Sequence, residues 1–233
     1  MNQKKHPNVV ILEKAVSFLG PMINEMVFIG GCATGLLITD PAATPVRSTI
    51  DVDVLVEVTS LVEYHKLSKR LRARGFAEDL IHEAPICRWT RENVILDVMP
   101  VNPDILGFGN KWYGPAFEAS IWTQPSSGTK IRILQAPHFL ATKLEAFDGR
   151  GNQDYLLSRD MEDVIAVLDG RPEIIEEVKI SDTPLKNYLQ ARMNSLLNNN
   201  SFLEALPGHL PPDPASQART RLVLERMQEI SDI

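Results

Sequence analysis

Cysteine and histidine are scarce in this chain. Of its 233 residues only two are cysteines, Cys32 and Cys87, and five are histidines. Neither residue type shows the spacing of a metal site, and two distant cysteines do not form a disulfide framework. We therefore expect two small, buried and reduced thiols in a cytoplasmic protein. A phosphohydrolase that uses clustered histidine and aspartate ligands is disfavoured.

Long apolar runs and a basic composition are also missing. No stretch of about eighteen apolar residues occurs, so no membrane span is predicted. The first residues are basic, but Glu13 and Lys14 interrupt the apolar stretch that follows, which argues against a signal peptide. A net charge of −6 excludes a generally basic nucleic-acid coat, whereas 44% hydrophobic residues suffice for a real core.

The most informative stretch is residues 27–58, VFIGGCATGLLITDPAATPVRSTIDVDVLVEV. Asp51 and Asp53 lie two apart in a predicted strand and so share a face. Such a pair repels itself unless a partner is present, and Mg²⁺ or Mn²⁺ is a suitable one. Upstream, Gly30 and Gly31 end an apolar run before a helix-like segment and are predicted to cradle phosphate. A solvated edge strand and a simple strand end are the structural alternatives.

A third carboxylate, Asp97, stands alone between Leu96 and Val98 in a predicted strand at 94–101. Such a group is costly unless it is paired or bound to metal. Three carboxylates that hold metal ions suit phosphoryl or nucleotidyl transfer, in which the ions bridge a triphosphate and activate a hydroxyl. We predict Asp97 to lie nearest the attacking oxygen.

Four further residues are candidate phosphate contacts. Thr34, Ser48 and Thr49 offer hydroxyl donors, although a cap or turn role is an open alternative for each. Arg47 is predicted either to neutralise phosphate charge or to pair with an acid.

In the second half, Lys143 is a candidate contact to the triphosphate, with Asp160 and Asp163 holding it from a neighbouring helix. A surface ion pair is the alternative. The chain reads as an α/β first half followed by helices from about residue 137. A strand at 86–90 is predicted to join the strand at 94–101 through residues 91–93, and residues 102–128 are predicted to be mostly irregular.

The helix that follows Ser60 is rich in lysine and arginine as far as Gly75. Its basic residues favour an ordinary solvated face, with nucleic-acid contact as the alternative.

Glycine pair, DVD strand and later lone aspartate together resemble the nucleotidyltransferase superfamily with the DNA polymerase beta-type palm. The segments RSTIDVD (47–53), KLEAF (143–147) and RDMEDV (159–164) resemble its AbiEii-type branch, which includes toxins of toxin–antitoxin systems. The resemblance covers roughly residues 25–170. It implies an α+β fold, with a nucleotidyltransferase-type mixed sheet and flanking helices in a catalytic domain (1–134), and a helical domain (135–233) that closes over the nucleotide.

The resemblance also implies a reaction. A nucleoside monophosphate would pass from an NTP such as ATP, GTP or CTP to a hydroxyl of RNA or tRNA, a protein or a small molecule, with Mg²⁺ or Mn²⁺ as cofactor and a possible cognate antitoxin as partner. The alternative is a non-catalytic nucleotide-binding or partner-binding member of a toxin–antitoxin pair. Two features depart from the family: Gly30-Gly31 replaces the usual Gly-Ser, and the gap to Asp51 is longer.

Overall fold

The computed structural model of the chain describes residues 6–81, 84–125 and 128–233. The basic first five residues, His82, and residues 126 and 127 of the predicted irregular segment lie outside the described residues. The fold is α+β, as predicted: a mixed sheet with flanking helices is followed by a helical C-terminal region.

Within the described residues the sheet has seven strands. They are β1 (Met26–Ile29), β2 (Asp51–Val56), β3 (Ala77–Glu78), β4 (Arg88–Arg91), β5 (Val94–Pro100), β6 (Ile121–Thr123) and β7 (Ile131–Ile133). Their spatial order is β3-β4-β5-β2-β1-β7-β6. The pairs β2–β5 and β1–β7 are parallel, and the other neighbouring pairs are antiparallel.

The α-helices are α1 (Pro7–Leu19), α2 (Gly30–Leu37), α3 (Leu61–Ala73), α4 (Tyr113–Glu118), α5 (Ala136–Arg150), α6 (Arg159–Gly170), α7 (Ile174–Ile180), α8 (Thr183–Leu197), α9 (Asn200–Ala205) and α10 (Pro214–Ser231). Short polar side chains fix several of the starts. Ser60 caps α3, Ser158 caps α6 and Asp182 caps α8, each accepting a hydrogen bond from a backbone N–H three residues on. The cap at Ser158 fixes the start of α6 at Arg159.

Along β2 and β5, every second side chain is apolar and points to the same face of the sheet, and this face is buried. Val52, Val54, Leu96 and Val98 have no exposed surface. Helix α1 packs against both strands, and the Tyr64 hydroxyl of α3 donates a hydrogen bond to the Val98 carbonyl at 3.0 Å. The polar side chains of these strands therefore lie on the opposite face.

The chain divides into two compact units. One contains β1–β7 and ends at Gln135; the other contains Ala136–Ile233 together with residues 36–47, which the sequence did not assign to the helical half. This segment binds the C-terminal end of α6, where the Gly170 carbonyl accepts hydrogen bonds from the N–H groups of Thr39 and Asp40 at 2.9 and 3.0 Å. A Cβ at Gly170 would lie 2.7 Å from Ile38, so the close approach requires glycine.

Charged groups strengthen the attachment of residues 36–47. Asp169, which is fully buried, accepts hydrogen bonds from the N–H and hydroxyl of Thr44 at 3.1 and 3.0 Å and from Arg219. Arg219 also pairs with Asp40 at 2.7 Å. Most of the chain between the glycine pair and Asp51 thus belongs to the second unit.

Both cysteines are buried, and burial, helped by the nearby Asp97 charge, raises the pKa of the Cys87 thiol to about 12. Among the helices of the described ranges, none has the length and apolar character that crossing a membrane requires.

Candidate functional site

Four residues from neighbouring strands form one register row across the sheet. Asp53 of β2 pairs with Asp97 of β5 on one side and with Ile29 of β1 on the other, and Asp97 in turn pairs with Arg88 of β4. Side chains in one register row point to the same face. The row therefore brings two of the three predicted carboxylates together beside the end of β1.

Asp51 lies on the same face, two residues before Asp53. Both aspartates are partly exposed, whereas Val52 and Val54 between and after them are buried. The Thr49 hydroxyl donates a short hydrogen bond to Asp51. The predicted phosphate contact of Thr49 therefore remains a prediction, and the open alternative of a local structural role is the one that this hydrogen bond matches.

Arg88 is a site residue that the sequence did not reveal. Its Nε and Nη2 donate hydrogen bonds to the two oxygens of Asp97 at 2.8 and 2.7 Å, and its Nη2 lies 3.9 Å from Asp51 Oδ2. The hydrogen bonds to Asp97 raise the pKa of the guanidinium further above its ordinary value. Asp97, only 6% exposed, is thus held by an internal cation.

Gly30 has a structural role that is visible only in the tertiary structure. It begins α2 with a φ of +71°, a conformation that L side chains rarely adopt. A Cβ at this position would lie 1.8 Å from Asp53 Oδ2. The glycine therefore makes room for the Asp53 carboxylate at the positive N-terminal end of α2, which favours a negative charge.

Asn8 is a second residue that sequence analysis missed. It is fully buried near the start of α1; its Nδ2 donates to the Gly31 carbonyl at 3.2 Å, and its Oδ1 accepts from the Thr49 N–H at 2.9 Å. One side chain thus joins the glycine turn to the chain that enters β2. A single asparagine in an apolar helix has no spacing signal that would have identified it.

We expect Asn8→Ala to lower the free energy of unfolding by about 2–4 kcal/mol, because the buried Gly31 carbonyl and the half-buried Thr49 N–H lose their partner. Urea denaturation measures this loss. The control is Asn198→Ala, since Asn198 is exposed and donates its hydrogen bond on the surface of α8, and it should cost less than about 1 kcal/mol. Equal losses in the two variants would contradict the role given to Asn8.

In the second unit, Lys143 belongs to a chain of charges in which Lys143, Asp160 and Asp163 are buried. Its Nζ lies 2.7 Å from Asp163 and 3.3 Å from Asp160. Arg47 binds both oxygens of Asp163 at 3.0 and 2.9 Å, and Arg150 binds both oxygens of Asp160 at 2.8 Å. Arg47, Lys143 and Asp160, all predicted site residues, are therefore brought together, with Arg150 as a member that was not predicted.

The charge chain makes stability depend on pH. Burial raises the pKa of Asp160, but the hydrogen bonds from Arg150 and the Lys143 charge outweigh it and hold the pKa below the ordinary 3.8. The stabilisation is thus complete above about pH 4 and is lost as the pH falls through the folded-state pKa. We expect the unfolding free energy to fall less steeply below pH 4 in Asp160→Asn than in the wild type, as measured by urea denaturation. Replacing the exposed Glu204 with Gln should leave the wild-type slope, and parallel slopes in all three proteins would refute the assignment.

Three other predicted contacts are located as follows. The Thr34 hydroxyl is buried and donates to the Gly30 carbonyl at 3.4 Å, so it braces the turn from inside. Gly31 is buried, with its carbonyl bound to Asn8, and Ser48 is exposed. Their predicted phosphate contacts remain predictions.

The donor set of Asp51, Asp53 and Asp97 suits a hard divalent cation, because it consists of carboxylate oxygens on one sheet face. Across the ranges 6–81, 84–125 and 128–233, however, no three histidine, cysteine or acidic side chains are close enough together to form a metal-binding group. Arg88 already engages both oxygens of Asp97, one of the three predicted ligands.

The basic helix α3 has local partners for part of its charge. Arg70 binds both oxygens of Glu25 at 2.6 Å, and Arg72 pairs with Glu78 at 2.6 Å while its guanidinium lies over the Trp89 ring. Both ion pairs are about half exposed, as on a solvated face, and nucleic-acid contact stays a prediction.

Comparisons with known proteins give information on the fold and not on the activity. No protein-family model matches the sequence, and neither does any curated protein. The structure is similar to the crystal structure of JHP933 from Helicobacter pylori, with a TM-score of 0.51 and 12% sequence identity, over 99% of this chain and 94% of that chain. At this identity the similarity concerns the architecture and not the activity.

Proposed function

We propose that the chain is a metal-dependent nucleotidyltransferase that moves a nucleoside monophosphate from an NTP to an acceptor hydroxyl. The observation that supports this most is the register of Asp53 with Asp97, next to the N-terminus of α2. The two-residue spacing of Asp51 and Asp53 adds a third carboxylate on the same face. Together these provide oxygen ligands beside a helix end that favours anions.

The proposed roles follow from the chemistry of each side chain. Asp51, Asp53 and Asp97 would hold one or two Mg²⁺ or Mn²⁺ ions, which when bound neutralise phosphate charge. The oxygen of the acceptor hydroxyl forms a bond to the α-phosphorus of the NTP. The bond between the α-phosphorus and the oxygen that bridges it to the β-phosphorus breaks, and pyrophosphate leaves. We assign the hydroxyl proton to an Asp97 oxygen. We assign a triphosphate contact to Lys143, which Asp160 and Asp163 fix in orientation.

A second candidate is a non-catalytic nucleotide-binding or partner-binding protein, for example one member of a toxin–antitoxin pair. The bidentate contact between Arg88 and Asp97 favours it, since both oxygens of a needed metal ligand are already engaged. The three carboxylates on one face favour the enzyme, because a binding module has no need for them.

Measuring pyrophosphate release and label transfer decides between the two. The protein is incubated with each α-labelled NTP and Mg²⁺ or Mn²⁺, in the presence of total RNA, tRNA or a protein extract. Metal-dependent transfer to one acceptor class supports the enzyme and identifies its substrate. Calorimetric NTP binding without turnover on any acceptor supports the second candidate, and a co-purifying small protein would support an antitoxin partner.

A further inference from the structure

The Arg88 side chain lies where a cation shared by two of the site carboxylates would lie. Its Nη2 is 2.7 Å from Asp97 Oδ2 and 3.9 Å from Asp51 Oδ2, and its Nε holds the other Asp97 oxygen at 2.8 Å. Arg88 Nη2 therefore lies between carboxylates from two neighbouring strands. A divalent ion that bridged them would have to approach the same oxygens.

We infer that Arg88 is an internal cation that competes with a divalent cation for Asp97 and Asp51, and that it must leave these carboxylates before the ion binds tightly. This inference rests on the proposed function, because it takes the three aspartates as the cation site. It assigns a role to a residue outside the resemblance motifs. It also specifies how the cation binds: together with an anion that can receive the displaced guanidinium.

Two properties of Arg88 make the competition effective. A guanidinium keeps its proton under all ordinary conditions, so the contact is released by movement and not by deprotonation. Its side chain is 24% exposed, whereas that of Asp97 is 9% exposed, so the arginine is the partner with open space beside it. The carboxylate stays in the strand while the long arginine side chain rotates away.

The chemistry of a metal–triphosphate fits this exchange. The metal supplies the positive charge that the carboxylates lose when Arg88 leaves, and the phosphate oxygens offer Arg88 the bidentate geometry that guanidinium prefers. A metal ion alone supplies only the first. We therefore expect Mn²⁺ alone to bind the wild type weakly and Mn²⁺ with a non-hydrolysable NTP analogue to bind it more tightly.

The test is calorimetric titration of Mn²⁺ into the wild type and into Arg88→Gln. Removing the Arg88 charge should tighten Mn²⁺ binding about 10- to 30-fold. This is the gain expected when the repulsion between a single and a double positive charge about 4 Å apart is removed, even if water screens that repulsion. The matched control is Arg70→Gln, which also removes an arginine that is bidentate to a carboxylate in this unit but lies on the exposed α3–Glu25 pair. Its Mn²⁺ affinity should equal that of the wild type.

Thermal unfolding gives an independent readout. Arg88→Gln should unfold at a lower temperature than the wild type without metal, because Asp97 loses its partner, and Mn²⁺ should raise its unfolding temperature more than that of the wild type. If Arg88→Gln does not fold, Arg88→Lys keeps the charge but not the bidentate contact, and its Mn²⁺ affinity should lie above that of the wild type.

Unchanged or weaker Mn²⁺ binding in the folded Arg88 variants overturns the inference, since Arg88 would then orient Asp97 for the ion. If the wild type transfers nucleotide while this result is obtained, only the role of Arg88 fails. If no variant binds Mn²⁺ and no NTP is turned over with any acceptor, the inference fails together with the proposed function.

Discussion

Asp53→Asn is expected to lower NTP-dependent nucleotide transfer about a thousandfold. The substitution removes a charged oxygen ligand from the centre of the register row, and a bound metal supplies several kcal/mol of transition-state stabilisation. The volume of the side chain hardly changes, and an amide is tolerated at a helix N-terminus. The unfolding free energy should therefore stay within about 1 kcal/mol of the wild-type value.

The measurement is label transfer from the NTP, together with circular dichroism and urea denaturation on the same preparations. Glu57→Gln is the matched control, because Glu57 directly follows β2 and is exposed, so its substitution removes the same charge outside the row. The control should transfer nucleotide at the wild-type rate. Metal-dependent transfer that persists in pure Asp53→Asn protein would remove the basis of the proposed function.

Gly30→Ala is expected to destabilise the protein strongly. The added methyl group meets two obstacles: a backbone at φ +71°, and the Asp53 carboxylate 1.8 Å away. A left-handed backbone costs an alanine about 1–2 kcal/mol, and overpacking adds roughly 1–3 kcal/mol. The unfolding free energy should fall by roughly 2–5 kcal/mol, and the displaced Asp53 should lower nucleotide transfer as well.

Gly107→Ala separates these two obstacles. Gly107 also has a positive φ, +76°, but a Cβ there would meet nothing within 4 Å. Its substitution should cost only the backbone term of about 1–2 kcal/mol, with transfer unchanged. Urea denaturation of both variants gives the comparison, and an equal loss at the two positions would show that Asp53 does not press on residue 30.

The hairpin β4–β5 shows where prediction from sequence stopped. Both strands were predicted, but with residues 91–93 as the connection, which pairs residue 88 with Leu96. In the structure Arg91 still pairs with Val94, so the turn is one residue shorter and Arg88 pairs with Asp97. A slip of one residue moves every side chain to the other face. The Arg88–Asp97 contact therefore depends on a turn whose length the hydrophobic pattern did not define.

The interpretation of the glycine pair shows a different limit. The sequence placed Gly30 at the junction of a strand and a helix, and the structure has β1 end at Ile29 and α2 begin at Gly30. A glycine is needed at this position because the Asp53 side chain lies against it, although Asp53 comes 23 residues later in the chain. This contact depends on how β1 pairs with β2. No local pattern contains that pairing, because it is formed between two strands that are separated in the sequence by α2 and the long loop after it.

By itself, the sequence determined the elements: the alternation of Val and Asp in β2, the helix that follows Ser60, and a first half with strands and helices before a helical second half. These are local signals, set by backbone geometry and by hydrogen bonds within a few residues. Only the tertiary structure decided which side chains meet: Asp53 with Gly30 and Asp97, Asp97 with Arg88, and Asn8 with the glycine turn. Such contacts join segments that are distant in the sequence. They depend on strand register and core packing, which the spacing of residues along the sequence does not reveal.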